Sequence, residues 1–416
     1  MHRRPFARMV ARPPSASATS GRYDSPVTTS IEGPKLIRDQ ERRASADWRR
    51  VALLLAPALI YLAVRAAGVA LLWVMSAANG QDFTLQHWDA GWYLQIAAGG
   101  YEQVDAGMTD AHGAHHSYTA MVFFPAYPQL LGLLFPEDPQ LYLEFAVILS
   151  TAIGIVGAYG IARLARALGG NRSAELSAVA LVAAAPMAIV YSMPYPEALL
   201  VAAVAWALAA MLERRWLTAG LCALVAGYTH PMGAPLVAVI VVAGLIAAYR
   251  GEGNGWRPAL AAAIAPVGVG GYLLWVQFTS GVPGGYFAIT REGWGNQLDL
   301  SYVGWIFDTL GTGREAYSVL SALLCLVVAA ALVPAWRHLP VAVWAYTALV
   351  LLLTIGHAGA EHDRVRQLLS AFPLLVLLAV WAGRKRSPTG VGAIALMGAF
   401  GLWFSAYALV AQPHSI

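Results

Sequence analysis

The chain has 416 residues, 58% of them hydrophobic and only 12% charged, with a mean hydropathy of +0.57. A water-soluble chain carries about 25% charged residues, so soluble enzymes and nucleic-acid-binding modules are excluded and the chain belongs in a membrane. The formal charge of +4 is uneven, because residues 1–50 carry eleven Lys or Arg against five Asp or Glu, which leaves −2 for the rest.

Residues 1–50 are rich in Pro, Ser and Arg. This composition predicts a disordered, basic cytoplasmic tail drawn to the anionic leaflet, without the apolar core and cleavage site of a secretory signal. Residues 51–416 read as one transmembrane domain in an all-α polytopic membrane protein. A spanning helix needs roughly 20 apolar residues, fewer in a crowded bundle. About eleven candidate spans satisfy this: 51–78, 141–162, 174–193, 197–212, 217–230, 232–249, 259–278, 317–336, 340–357, 367–383 and 389–411. Cys222 and Cys325 fall inside such runs and read as small buried hydrophobes.

Orientation follows from the basic residues, since Arg- and Lys-bearing loops stay in the cytoplasm. Arg49 and Arg50 place the N-terminus inside. Single crossings then put Arg163, Arg166 and Arg172, Arg214 and Arg215, Arg250 and Arg257, Arg337, and Arg384 to Arg386 on that same side. This requires the apolar stretch Phe123 to Phe135 not to cross. The long loop 79–140, the junctions at 195–197 and 230–231, the loop 279–316 and the stretch 361–366 are then extracytoplasmic. Unusual polar and aromatic residues collect in these outer segments.

In the first outer loop, QDFTLQHWDAGWYLQIAAGGYE (81–102), Asp89 follows His87 and Trp88 and precedes Trp92 and Tyr93. Aromatic surroundings desolvate a carboxylate and suit it to general base work; composition alone favours an aromatic belt with an Asp capping the next helix. Glu197 opens a span after Pro194 and Pro196, where the helix dipole favours a carboxylate. Arg364 and Arg366 stand at the outer end of a span against the positive-inside tendency, which marks them as functional or as paired with Glu361 or Asp363. Arg291 precedes Trp294 in the outer loop. Arg65, inside the first span, either snorkels or faces a cavity. His112, His115 and His116 with Asp110 lack regular zinc spacing, so no metal site is expected. Tyr302, Trp305 and other outer aromatics fit sugar stacking and interfacial anchoring alike.

The WDA of the first outer loop, a GYE at 100–102 and the FFPAYP at 123–128 resemble the PIG-V family (GPI mannosyltransferase 2-like) of polyprenyl-phosphate-mannose-dependent mannosyltransferases. The YPE at 195–197, the RRW at 214–216, the GWG at 293–295 and the spacing from Arg364 to Pro373 follow in the same order. Family members resemble an Arg-containing turn where this chain has Thr229, His230, Pro231, Met232 and Gly233, so a permanent cation is replaced by an imidazole. The resemblance implies a GT-C-type glycosyltransferase bundle using a polyprenyl-phosphate-mannose donor, with inversion to an α-linked product and no required cofactor. By that resemblance Asp89 is the catalytic base. Arg364, Arg366, Arg291 and His230 are candidates for the donor phosphate. His87, Trp88, Tyr93, Tyr101, Glu102, Tyr195, Glu197 and Trp294 are candidates for the acceptor or the sugar.

The expected partners are membrane lipids, the lipid-linked donor and a glycolipid or glycan acceptor, with no nucleic acid. The Ala- and Arg-rich composition points to a bacterial plasma membrane with the active face outward; a lumenal site in the endoplasmic reticulum has the same topology. A secondary transporter or lipid flippase is the competing reading, raised by the broken helices near Pro231 and Pro235.

Overall fold

The computed structural model describes residues 33–135, 141–252, 255–313, 315–359, 361–385 and 388–412. Two units are distinguished, Met1–Leu53 and Leu54–Ile416. In the first, the described backbone is helical: α1 (Gly33–Ala78) begins well before residue 50, where the composition changes. The remainder of the expected tail, residues 1–32, lies outside the described residues.

In the second unit the regular structure among the described residues is helical, apart from one isolated bridge between Leu298 and His357. Among the described residues six helices are long and apolar enough to cross a bilayer: Arg50–Ala78, Tyr142–Ala167, Pro231–Tyr249, Trp256–Thr279, Ala316–Ala335 and Thr389–Ala411. A seventh candidate is bent by 51° between Arg364–Ala371 and Pro373–Arg384. Exposed Leu54, Phe278 and Leu396 on such segments would be intolerable in water and are ordinary against lipid. The chain is therefore an integral multi-pass membrane protein. The expected count of about eleven also included three shorter apolar helices, Glu197–Leu212, Trp216–Thr229 and Val341–Ile355.

The expected span 174–193 is not a continuous helix. Here α5 (Arg172–Ala183) stops, Pro186 removes a donor, Met187 takes φ 66°, and a single 3-10 turn, Ala188–Ser192, follows. The break frees the carbonyl of Ala183, and Arg65 answers it. Its Nη1 donates to Ala183 O at 2.8 Å and its Nε to Ser192 Oγ at 3.0 Å. Arg65 is buried, so it neither snorkels nor faces open space; it satisfies the backbone of a broken neighbour.

The centre of the unit is α6 (Glu197–Leu212), buried on nearly every side, as an all-round apolar helix must be. It packs against α4 (Tyr142–Ala167) through Gly157 and Gly160, opposite Ala202 and Ala205, small residues that let helix backbones approach. Next come α7 (Trp216–Thr229), α8 (Ala234–Tyr249), α9 (Trp256–Ile264) and α10 (Val267–Thr279).

The long segment after α1 folds into α2 (Ala90–Gly99) and α3 (Ala126–Leu134), locked by Trp92, Tyr93 and Ile96 against Phe123, Tyr127 and Leu131. At nine residues α3 is about 13 Å long, too short to span, which accords with the requirement that 123–135 not cross. The segment after α10 folds into α11 (Gly285–Trp294) and α12 (Ser301–Thr312). Then follow α13 (Ala316–Ala335), α14 (Val341–Ile355), a four-residue α15 (Arg364–Gln367), α16 (Pro373–Lys385) and α17 (Pro388–Ala411).

Candidate functional site

A cavity of about 480 Å³ opens where the start of α2, the turn after α7, α11 and α15 converge. Asp89, His230, Arg291 and Arg366 line it together with Tyr93 and Trp294. Another part of its wall is apolar, with Phe124, Phe287, Leu298 and Leu353. Charged and apolar side chains line the same space.

Asp89 occupies the N-cap position of α2, but its side chain makes no capping bond. Its Oδ2 instead accepts a hydrogen bond from Arg366 Nη1 at 2.6 Å, across 277 residues of sequence. The aromatic isolation read from the sequence is thus replaced by a counter-charge. The other carboxylate oxygen has no protein partner among the described residues, and the side chain keeps 22% of its surface exposed. Arg366 is more deeply set, at 12%. Its Nε lies 3.5 Å from Oε1 of the buried Glu197, and its guanidinium sits over the Tyr195 ring at 5.3 Å. Two carboxylates and an aromatic face compensate a cation that burial alone would expel. Glu197 Oε2 is buried without a partner.

Tyr195 is fully buried and does not line the cavity. Its hydroxyl donates to His87 O and accepts from Asp89 N–H, both at 3.1 Å. Burial raises this phenol well above its ordinary range, and that of Tyr93 likewise, so both keep their protons. Between the two bonded residues Trp88 has φ 44°, a left-handed conformation that costs a bulky side chain about 1–3 kcal/mol.

His230 caps the turn that follows it. Its Nδ1 accepts the Met232 N–H at 3.1 Å, so the proton of the neutral ring resides on Nε2. The turn requires Gly233, where a Cβ would stand 2.2 Å from Ala226 O. Arg291 is exposed and lies 3.5 Å from Glu292. Trp294 meets Trp92 and Phe123 edge-on, at 6.4 and 6.1 Å between ring centroids.

Other candidates stand outside the cavity. Arg364 is fully buried: it covers the Tyr302 ring at 4.7 Å, donates to the carbonyls of His357 and Gly359, contacts the His357 imidazole, and lies 3.6 Å from Asp363. Its two terminal nitrogens bond the backbone turn and His357, its Nε is buried without a partner, and it does not line the cavity. The side chain of Glu361, its other expected partner, lies outside the described residues. Tyr101 donates to Phe123 O at 2.7 Å and Glu102 is exposed on a short turn. His87 is half-buried beside Trp88, and burial lowers its imidazole below the ordinary value.

Among the described residues no group of three His, Cys, Asp or Glu is placed to hold a metal ion. Asp110 instead accepts the N–H groups of His112 and Ala114, His115 Nδ1 meets Met108 O, and the His116 ring stacks on Tyr118. Three cavity residues carried no signal in the sequence, His357, Asn296 and Gln367; Gln367 Nε2 donates at 2.7 Å to Oδ2 of Asp363, which the sequence offered only as an arginine partner. Only the i, i+4 spacing of the last two, once a helical turn is known at 364–367, would have hinted at their contact.

No family model matches the sequence, and no curated protein matches it. Among solved structures the fold is similar to the crystal structure of ArnT from Cupriavidus metallidurans bound to undecaprenyl phosphate, with a TM-score of 0.49 and 18% identity. The match covers 86% of this chain and 66% of that one, so this chain spans just under two thirds of the length of ArnT.

Proposed function

We propose that this chain is a GT-C-type membrane mannosyltransferase that moves mannose from a polyprenyl-phosphate-mannose donor to a lipid-linked or surface glycan acceptor, with inversion. One observation carries the reading: at the cavity wall, Asp89 offers one oxygen to Arg366 and keeps the other open.

In this mechanism the acceptor hydroxyl gives its proton to the free oxygen of Asp89 as its own oxygen bonds to the anomeric carbon. The bond from that carbon to the phosphate oxygen breaks, and its electron pair leaves on the polyprenyl phosphate. One carboxylate suffices, because phosphate departs without a strong acid. Arg366 stands beside the developing negative charge, with Arg291 and the Nε2–H of His230 as further donors. Tyr93 and Trp294 supply aromatic faces for the sugar, and the apolar wall accepts the start of the lipid. The PIG-V-like motifs, rather than the cavity, support mannose as the sugar. We place the N-terminus in the cytoplasm and the cavity on the outer face of a bacterial plasma membrane.

The test is incubation of membranes with labelled polyprenyl-phosphate mannose. Transfer of label from the donor to an acceptor product should be lost in Asp89→Asn and retained in Asp105→Asn; transfer retained in Asp89→Asn would end the proposal.

A further inference from the structure

Three residues in a row, His87, Trp88 and Asp89, are gripped by a single side chain from the other end of the sequence's first half. The Tyr195 hydroxyl bonds the carbonyl on one side of Trp88 and the amide on the other. Neither bond involves the indole. The grip is on the backbone, at the one position of the loop where a bulky residue holds φ 44°.

The same ring does a second thing. Its face lies under the Arg366 guanidinium, at 5.3 Å from the centroid, and Arg366 in turn holds Asp89 Oδ2 at 2.6 Å. The backbone of the aspartate and the cation that orients its carboxylate are therefore referenced to one rigid, fully buried phenol. Asp89 sits at an N-cap position with φ −62° and ψ −17° and makes no cap. A capping residue has an extended backbone; with helical angles Asp89 does not turn its carboxylate onto the free N–H groups of α2, and the clamp on its amide holds that backbone beside the left-handed turn at Trp88.

We infer that Tyr195 is a positioning residue: its hydroxyl clamps the strained Trp88 peptide and its ring seats Arg366, so that Asp89 presents its free oxygen to the acceptor alcohol. Tyr195 touches neither the cavity nor the reacting atoms. This rests on the reading of Asp89 as the base and replaces the expectation that Tyr195 binds the acceptor or sugar.

The experiment uses the full-length protein in lipid nanodiscs, with labelled polyprenyl-phosphate mannose as donor and a membrane lipid extract as the acceptor source. Tyr195→Phe keeps the ring and deletes the clamp. It should lower kcat by ~10- to 100-fold, the scale on which small misplacements act, with the donor KM and the Kd of free polyprenyl phosphate unchanged. Glycine adopts φ 44° without strain, so Trp88→Gly introduced into Tyr195→Phe should recover part of the lost kcat. Relative to Trp88→Gly alone, the added Tyr195→Phe change should cost less than it does in the native background.

A Tyr195→Phe enzyme with native kcat, or one whose loss Trp88→Gly leaves undiminished, overturns the inference while Asp89→Asn stays inactive. A raised donor KM with kcat intact assigns Tyr195 to binding and overturns it too. If Asp89→Asn transfers at the native rate, the base assignment itself falls, and the positioning role with it.

Discussion

The two ends of α6 each carry a glutamate that meets an arginine, and the two pairs are built differently. Just past the C-terminal end, Glu213 and Arg163 form a closed fork, with Nε to Oε1 at 2.8 Å and Nη2 to Oε2 at 2.6 Å, about 30% exposed on both sides. At the N-terminal end, Glu197 is buried, reaches Arg366 only at 3.5 Å, and leaves Oε2 without a partner, while Arg366 spends its short bond on Asp89. Every charged oxygen is matched in the first pair. In the second cluster, three charged groups share too few bonds, and one carboxylate oxygen faces a cavity. A closed fork stabilises; an open one keeps valences for something that arrives later.

The comparison breaks most readily at Asp89. Removing its charge with Asn should cut transfer by about 10²–10⁴-fold, the range for a positioned general base, measured as label transferred per enzyme. Next is Arg366→Gln, for which we expect a loss of about 10²–10³-fold. Because Lys cannot make the fork or lie flat on Tyr195, Arg366→Lys should recover little of it. A Lys variant of near-native rate would show that charge alone is used there.

Arg364→Gln should act on folding instead. It leaves the His357 and Gly359 carbonyls without their donor and should lower stability by about 3–5 kcal/mol, read as the fraction surviving a heat step in detergent. The molecules that stay folded should have an unchanged donor KM. A raised KM with normal stability would move Arg364 into the site.

The smallest effect is expected at the closed fork. Glu213→Gln should cost about 0–1 kcal/mol and leave the rate within about twofold, as expected of a site away from the special contacts that dominate large losses. The hydrogen bond from Arg163 holds the Glu213 carboxyl below its ordinary value. That contribution is complete above the unfolded glutamate pKa and disappears as pH falls through the folded one. The stability gap between native and Glu213→Gln protein should therefore close in acid; a gap constant with pH would exclude the ion pair as its source.

The sequence makes the apolar helices legible, because a bilayer demands their length and composition. It also points to Asp89, Arg366, His230, Arg291, Tyr93 and Trp294, which converge on one cavity. The distinction between Arg364 and Arg366 was hidden. The two are only two residues apart and read as equivalent cations, yet on a helical turn they project about 200° apart, so one side can face the cavity and the other must face the turn. The break after Ala183 was obscured for a different reason: its residues are as apolar as a span, and only Pro186 interrupts them. At Tyr195 the sequence shows a tyrosine near a carboxylate and cannot show which backbone its hydroxyl reaches.

The arginine of the first membrane helix gives this arrangement an unexpected foundation. Arg65 ties Ala183 to Ser192, the two rims of the interrupted α5 segment, and Tyr195 stands three residues beyond the second rim. In hydrocarbon no water is at hand to take over an abandoned carbonyl. An apolar side chain at 65 would let the gap between those rims drift, and the phenol downstream would shift with it. Asp89 thus owes its altitude to a strut rooted in another helix, and with Asp89 as the proposed base, damage to that strut should register first as poor turnover.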